Sequence, residues 1–183
     1  IPVLIDALGD RSPNVAARAA LALGLIRSVR ALPHLLGYVR DPSEVTRQHV
    51  LSALGACHSY DEAYALSDSA HRVILSALTS SKAKWRIAAL QSLREFGYKD
   101  GIDVMMQMAY DPSVEVRHVA VQALGHLASG KHIPPDTVDD IVSITPAQRS
   151  SIVDLLLESL VADEFQSIRT KAVRALAAVG NPR

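Results

Sequence analysis

Seven histidines and one cysteine are the side chains here best able to bind a metal or attack an electrophile. A zinc or iron site draws its imidazoles from short spacings, such as two histidines four apart on one helical face. His34, His49, His58, His71, His118, His126 and His132 form no such pair and no His-Glu dipeptide. They read as solvated or packed histidines, and neither a bound metal nor a cofactor is expected. Cys57 takes the place that Ile26, Phe96, Leu127 and Val179 hold in the other copies of an internal repeat. It therefore reads as a buried, inert thiol. Trp85 stands in register with Val15, Val116 and Ile168, which favours core filler over a ligand-stacking ring. No Gly-rich phosphate loop is present, and Gly24, Gly55, Gly97, Gly125 and Gly180 read as helix ends. No catalytic residue emerges, so the expectation is a chain that is not an enzyme.

Two charged or polar patterns recur instead. Asp10, Asp41, Asp111 and Asp163 each open a turn, with Ser80 in the Asp place once. Six residues later stand Arg47, Arg86, Arg117 and Arg169, with Ala16 the exception. Such an Asp/Arg ladder can pair between neighbouring copies and bind turn carbonyls. Exposed pairs contribute only about 0–1 kcal/mol each, so the ladder sets register more than stability. The second pattern lies on the outward face of the following helix. One column reads Ala17, Gln48, Ile87, His118, Thr170; a turn later another reads Leu21, Ser52, Gln91, Gln122, Arg174. Polar, mostly uncharged groups in a strip suit hydrogen bonding to an extended or helical peptide. Gln48, Ser52, Ile87, Gln91, His118, Gln122, Thr170 and Arg174 are the candidate partner-binding residues.

What positions both patterns is a repeat. The phrase from Asp10 to Ala22-Leu23-Gly24 returns from Asp41 to Ala53-Leu54-Gly55 and from Asp111 to Ala123-Leu124-Gly125. The step from Asp10 to Asp41 is 31 residues; steps of 39 and 52 exceed it by loop-sized insertions. A fixed period of this length marks a solenoid. Each copy reads as two antiparallel helices, A and B, split by a turn such as Asp41-Pro42-Ser43, where proline is tolerated. The helix A column holds Leu4, Leu35, Ile74, Met105 and Leu157, and the helix B column holds Leu23, Leu54, Leu93, Leu124 and Leu176. One amphipathic hairpin cannot hide both stripes, so the copies must stack. Residues 1–183 are read as a single array with units near 1–28, 29–58, 68–98, 99–129 and 146–180. Insertions fall at about 59–67 and 129–145, the latter either a binding loop or disordered. Thr145-Pro146 opens the last unit as a capping residue followed by proline.

Composition agrees. The 183 residues are 49% hydrophobic and 4% aromatic, an Ala-Leu balance that suits closely packed helices. Nineteen basic and nineteen acidic side chains cancel, which argues against phosphate-backbone binding. The lone cysteine fits a reducing, cytoplasmic compartment. The longest apolar run, Ala19 to Ile26, falls far short of the roughly 20 residues that span a bilayer, so no membrane insertion is expected. The chain opens at Ile1 without a methionine, and its first unit is the most apolar, as in a piece of a longer array. More repeats, another domain or a partner are expected at that end.

An antiparallel helix pair with Asp in the turn and Arg six residues on resembles a HEAT repeat. The short unit from Asp111-Pro112-Ser113-Val114-Glu115-Val116-Arg117 to Ala123-Leu124-Gly125 is similar to the compact HEAT-like repeats of phycobilisome lyase subunits. The resemblance spans the chain. It implies an all-α fold, an α-α superhelix of about five hairpins, right-handed, with B helices lining the concave side. It also implies a protein-interaction scaffold that binds a partner protein or peptide along that side. The alternative is a lyase-type subunit presenting a substrate protein or chromophore. A nucleic-acid-binding array is the least favoured reading.

Overall fold

Alanine, leucine and valine at helical spacing, punctuated by Asp-Pro and Ser-Pro turns, give a chain of short helices. The computed structural model describes residues 1–57, 64–96, 101–129 and 144–180. Among them are ten α-helices, one 3-10 turn and no strand. The helices are α1 (Pro2–Ala7), α2 (Pro13–Ile26), α3 (Leu32–Gly37), α4 (Glu44–Ala56) and α5 (Tyr64–Leu78). They continue with α6 (Ala83–Phe96), α7 (Ile102–Met108), α8 (Val114–Ala128), α9 (Pro146–Ala162) and α10 (Gln166–Val179). Odd-numbered helices are A helices and even-numbered ones are B helices, each pair a hairpin in chain order.

The starts follow from chemistry visible in the sequence. Pro2, Pro13, Pro33 and Pro146 sit at the first or second helical position, where a missing N–H costs nothing. Thr145 and Gln148 form a reciprocal capping box: Gln148 N–H donates to Thr145 Oγ1 at 3.1 Å and Thr145 N–H donates to Gln148 Oε1 at 2.9 Å. Ser43 caps α4 by accepting from the Thr46 N–H.

The chain divides into two units, Ile1–Phe96 with three hairpins and Gly97–Arg183 with two. In the first, α2, α4 and α6 lie side by side; in the second, α8 and α10 do. The core of each unit runs along these B-helix contacts. Leu23, Leu54, Leu93 and Leu124 are fully buried, as are Leu35, Ile74 and Met105 from the A helices.

Three expectations need revision. Leu157 is 46% exposed, and Leu156 fills the buried place instead. The reason is length: α9 continues to Ala162, the residue before Asp163, whereas α3 stops at Gly37, well before Asp41. With no intervening turn, the face that points inward shifts by one residue. Helix α5 starts at Tyr64, inside the stretch read as an insertion. Finally, Gly24, Gly55 and Gly125 are not helix ends but lie inside α2, α4 and α8. A Cβ on Gly125 would come within 2.3 Å of the Ala175 Cβ, and one on Gly55 within 2.6 Å of the Ser92 backbone. These glycines are close-approach points between successive B helices. Gly97, His58, His132, Tyr60 and the insertion core from 130 to 143 lie outside the described residues.

Small polar side chains complete the seams. Ser92 Oγ donates to the Leu51 carbonyl across the α4–α6 contact at 2.8 Å, and Cys57 Sγ donates to the Leu23 carbonyl at 3.4 Å. Burial pushes the Cys57 thiol up to about 11, so it is protonated at neutral pH.

At the turns, each ladder aspartate accepts the N–H two residues on: Asp10 from Ser12, Asp41 from Ser43, Asp111 from Ser113, Asp163 from Phe165, at 2.7–2.9 Å. These Asx turns orient the entry to each B helix. Each ladder arginine donates back to the carbonyl that opens its turn: Arg47 to Asp41, Arg86 to Ser80, Arg117 to Asp111 and Arg169 to Asp163. Between hairpins, Arg117 Nε donates to Asp163 Oδ2 at 3.0 Å, with side chains only 14% and 11% exposed. The Phe165 ring lies 5.3 Å from the same guanidinium.

Gly125→Val should cost about 3 kcal/mol or more through backbone-level overpacking, whereas Gly37→Ala, with open space around its Cβ, should be neutral or slightly stabilising; thermal melts of both variants check this. Asp163→Ala removes both the turn acceptor and the arginine's partner and should cost about 2–4 kcal/mol. Asp163→Asn keeps an oxygen for the turn and should cost roughly half as much, a ranking that urea titrations read directly. Cys57 should resist a thiol-reactive dye in the native protein and react within minutes once urea unfolds it; prompt native labelling would contradict its burial.

Candidate partner-binding surface

The B helices carry the polar strip, and each unit presents its own part. In the first unit Gln48, Ser52 and Ile87 are half-buried and Gln91 is exposed; Ala17, in the same column, is buried. In the second, His118 is half-buried and Gln122, Thr170 and Arg174 are exposed. The helical periodicity places these groups on one side of their helices, with the alanine and leucine columns on the other.

The strip falls in two parts, one on each unit. Close approach at glycine leaves a notch beside it, and the notch recurs at equivalent positions in the two units. Between α2 and α4 a groove of about 290 Å³ is lined by Leu21, Gly24, Leu25, Arg27, Ser52 and alanines of α4. Between α8 and α10 a groove of about 220 Å³ is lined by Gln122, Gly125, His126, Lys171, Arg174 and alanines of α10. Leu21 corresponds to Gln122, Leu25 to His126 and Ser52 to Arg174 in the repeat register. One notch therefore presents leucines where the other presents Gln122 and His126, and the second also carries Lys171 and Arg174. Of the candidate residues, Ser52, Gln122 and Arg174 line these two grooves; Gln48, Ile87, Gln91, His118 and Thr170 do not.

Electrostatics follow from the neighbours. Lys171 Nζ donates to Gln122 Oε1 at 3.3 Å, spanning α10 and α8. Partial burial, and then the Lys171 charge, hold His118 below the ordinary imidazole value, so it stays neutral at physiological pH. Thr170 commits its hydroxyl to the Gln166 carbonyl at 2.9 Å, which leaves less for a partner. Arg27, at the edge of the apolar groove, has φ 55°. It is the one non-glycine residue with positive φ among those described, a conformation that costs about 1 kcal/mol or more.

Sequence reasoning missed Leu25, Arg27, His126 and Lys171. The signal was available: each lies within a turn or so of a close-approach position on its own helix or the next. Reading the glycines as helix ends hid it. Among the described residues no group of three or more His, Cys, Asp and Glu is placed to hold a metal ion, and no helix is long and apolar enough to cross a membrane.

No curated protein sequence matches the chain. Among solved structures, the chain is similar to the complex of CpcE and CpcF of phycocyanin lyase from Nostoc sp. PCC7120, at 21% identity and TM-score 0.70, over 95% of this chain and 96% of that one. It is also similar to a designed armadillo repeat protein in complex with the peptide (KR)4, at 17% identity and TM-score 0.63, over 96% of this chain and 80% of that one. A third similarity is to Kap95p in a complex with RanGDP, at 14% identity and TM-score 0.56, over 97% of this chain and 29% of that one. At such identities the likeness establishes the fold, the all-α superhelical class of HEAT and armadillo repeats, and nothing further. The family model for HEAT repeats matches residues 1–72 and 72–146, most of the sequence. With its hairpins paired in chain order and its Asp/Arg turns, the chain belongs to the HEAT-repeat family.

Proposed function

We propose that this protein is a non-enzymatic scaffold that binds a protein or peptide partner along the outward face of its B helices. The observation that carries the reading is the recurring notch: the same groove, built over Gly24 in one unit and Gly125 in the other, with different side chains at equivalent positions. A repeat fold that keeps the backbone of a groove and varies its lining is suited to reading successive side chains of an extended or helical segment. The apolar notch at Leu21 and Leu25 fits an aliphatic or aromatic anchor. The notch at His126, Lys171 and Arg174 fits an acidic or hydrogen-bonding one. The designed armadillo neighbour binds a peptide, which is consistent with this use of the fold. The buried thiol and its lack of a disulfide partner suit a reducing, cytoplasmic setting.

A second reading is favoured by one observation, the phycocyanin lyase neighbour that matches nearly end to end. In that case the chain would present a substrate protein or chromophore to a catalytic partner. Co-expression with such a partner would yield a coloured, covalently modified product, which a pure scaffold would not.

For the scaffold reading, peptides selected against the intact chain from a display library supply the probe. The double variant Gln122→Glu, Arg174→Glu should weaken the selected peptides at least tenfold while circular dichroism and melting stay unchanged. Undiminished binding in that variant, and in Leu21→Glu with Ser52→Glu, would remove the B-helix face as the partner surface.

A further inference from the structure

The ladder has a gap. Where Arg117 meets the next hairpin it finds Asp163, and Nε donates to Oδ2 at 3.0 Å. Where Arg47 meets the next hairpin it finds Ser80, whose Oγ already accepts the Lys82 N–H at 3.2 Å. Arg47 keeps its carbonyl bonds to Asp41 and Pro42 and lies 4.9 Å from the Trp85 ring centroid. The aromatic face thus takes over part of what the absent aspartate would supply. It does not supply an acceptor. Arg47 Nε and Trp85 Nε1 are both shut off from water, and neither has a hydrogen-bond partner among the described residues. Two unmet buried donors are costly in a native structure.

Beside these side chains the hairpins leave a space. Arg47 and Trp85 line a cavity of about 370 Å³ between the second and third hairpins, with Arg40, Ser80, Val39 and Val73 also in its wall. That volume falls in the range of small-molecule pockets, about 300–1,000 Å³. Among the described residues no carboxylate lines it. The equivalent cavity in the second unit, about 490 Å³, has Glu158, Asp163 and Glu164 around Arg117. The two cavities share a backbone plan and an arginine, yet among the described residues one is furnished with acids and the other with two guanidinium groups and none.

We propose that the cavity at Arg47 and Trp85 binds a carboxylate carried on an apolar body, which takes the place of the missing ladder aspartate. The guanidinium supplies charge-assisted hydrogen bonds, and the valines and the indole ring cover the apolar part. The carboxylate can come from a free small acid or from the C-terminus or acidic side chain of a polypeptide. This site lies at the turn edge of the hairpins and is independent of the B-helix grooves.

Trp85 is the single tryptophan of the chain, so its indole N–H gives one resolved nitrogen-correlated NMR signal. The intact ¹⁵N-labelled chain is titrated with sodium benzoate, with sodium acetate, and with a short peptide ending in phenylalanine, as the free acid and as the amide. Sodium chloride at equal ionic strength is the control. The expected result is a saturable shift with benzoate, at least tenfold weaker with acetate and absent with the peptide amide and with chloride. Saturation by the peptide acid at lower concentration than benzoate assigns the ligand to a polypeptide terminus; the reverse order assigns it to a small acid. Ser80→Asp, which restores the ladder carboxylate, should weaken binding at least tenfold and raise the melting temperature by about 2–4 °C. Arg47→Lys, which keeps the charge but removes Nε and the planar fork, should also weaken binding at least tenfold. The proposal is overturned if no carboxylate gives a saturable indole shift, which would leave only water in the cavity, or if Ser80→Asp and Arg47→Lys bind as the parent does.

Discussion

Successive B helices come as close as two backbones can, and the rest of each unit is arranged around that approach. At Gly24, Gly55 and Gly125 the neighbouring helix fills the space where a side chain would start. Its own residue there is small: Ala53, Ser92 or Ala175. Such contacts forgo the large apolar area of a leucine seam but gain dense dispersion contacts along the helix. They also let Ser92 and Cys57 reach carbonyls across the seam, so the small polar groups that close approach admits are satisfied. Leucines at other positions then close the wedge between the A and B helices.

The turn ladder does a different job. Close approach fixes how near two hairpins lie, but a smooth glycine-alanine contact tolerates sliding. The aspartates hold each turn, and the arginines hold each turn to its own B helix. Arg117 and Asp163 then lock one hairpin against the next. Arg47 shows how the lock adapts, with an indole face standing in for a carboxylate. The exposed pair of Lys82 and Glu44 at 2.7 Å adds a further tie between the same hairpins, and the ammonium holds the Glu44 carboxyl below its usual value.

Much of this was legible in the sequence because a repeat displays its columns. Leu23, Leu54 and Leu124 needed no coordinates to be placed in the core, nor did the capping residue Thr145. The Asp and Arg ladder was visible as spacing, though not that Trp85 would face Arg47, which has Ser80 where Arg117 has Asp163. Leu157 was misplaced because counting back from Asp163 assumes a fixed turn length, and α9 consumes the turn. Of the candidate strip, Ser52, Gln122 and Arg174 line the grooves. Column reading sorts residues by helix face, whereas a groove is made by two helices, and which residues meet across it depends on their separation. That separation is set by the glycines, whose role inside the helices has the same sequence signature as a helix end.

The family assignment and the close-approach geometry together make one structural claim: in each unit the B helices are neighbours in chain order and touch through glycine. Nuclear Overhauser measurements on protein with labelled alanine methyls and glycines test it most directly. The account predicts strong cross-peaks from Gly125 Hα to the Ala175 methyl, from Gly24 Hα to the Ala53 methyl, and from Gly55 Hα to Ser92 Hα. Absence of these cross-peaks, or their replacement by cross-peaks to leucines of other helices, would contradict it.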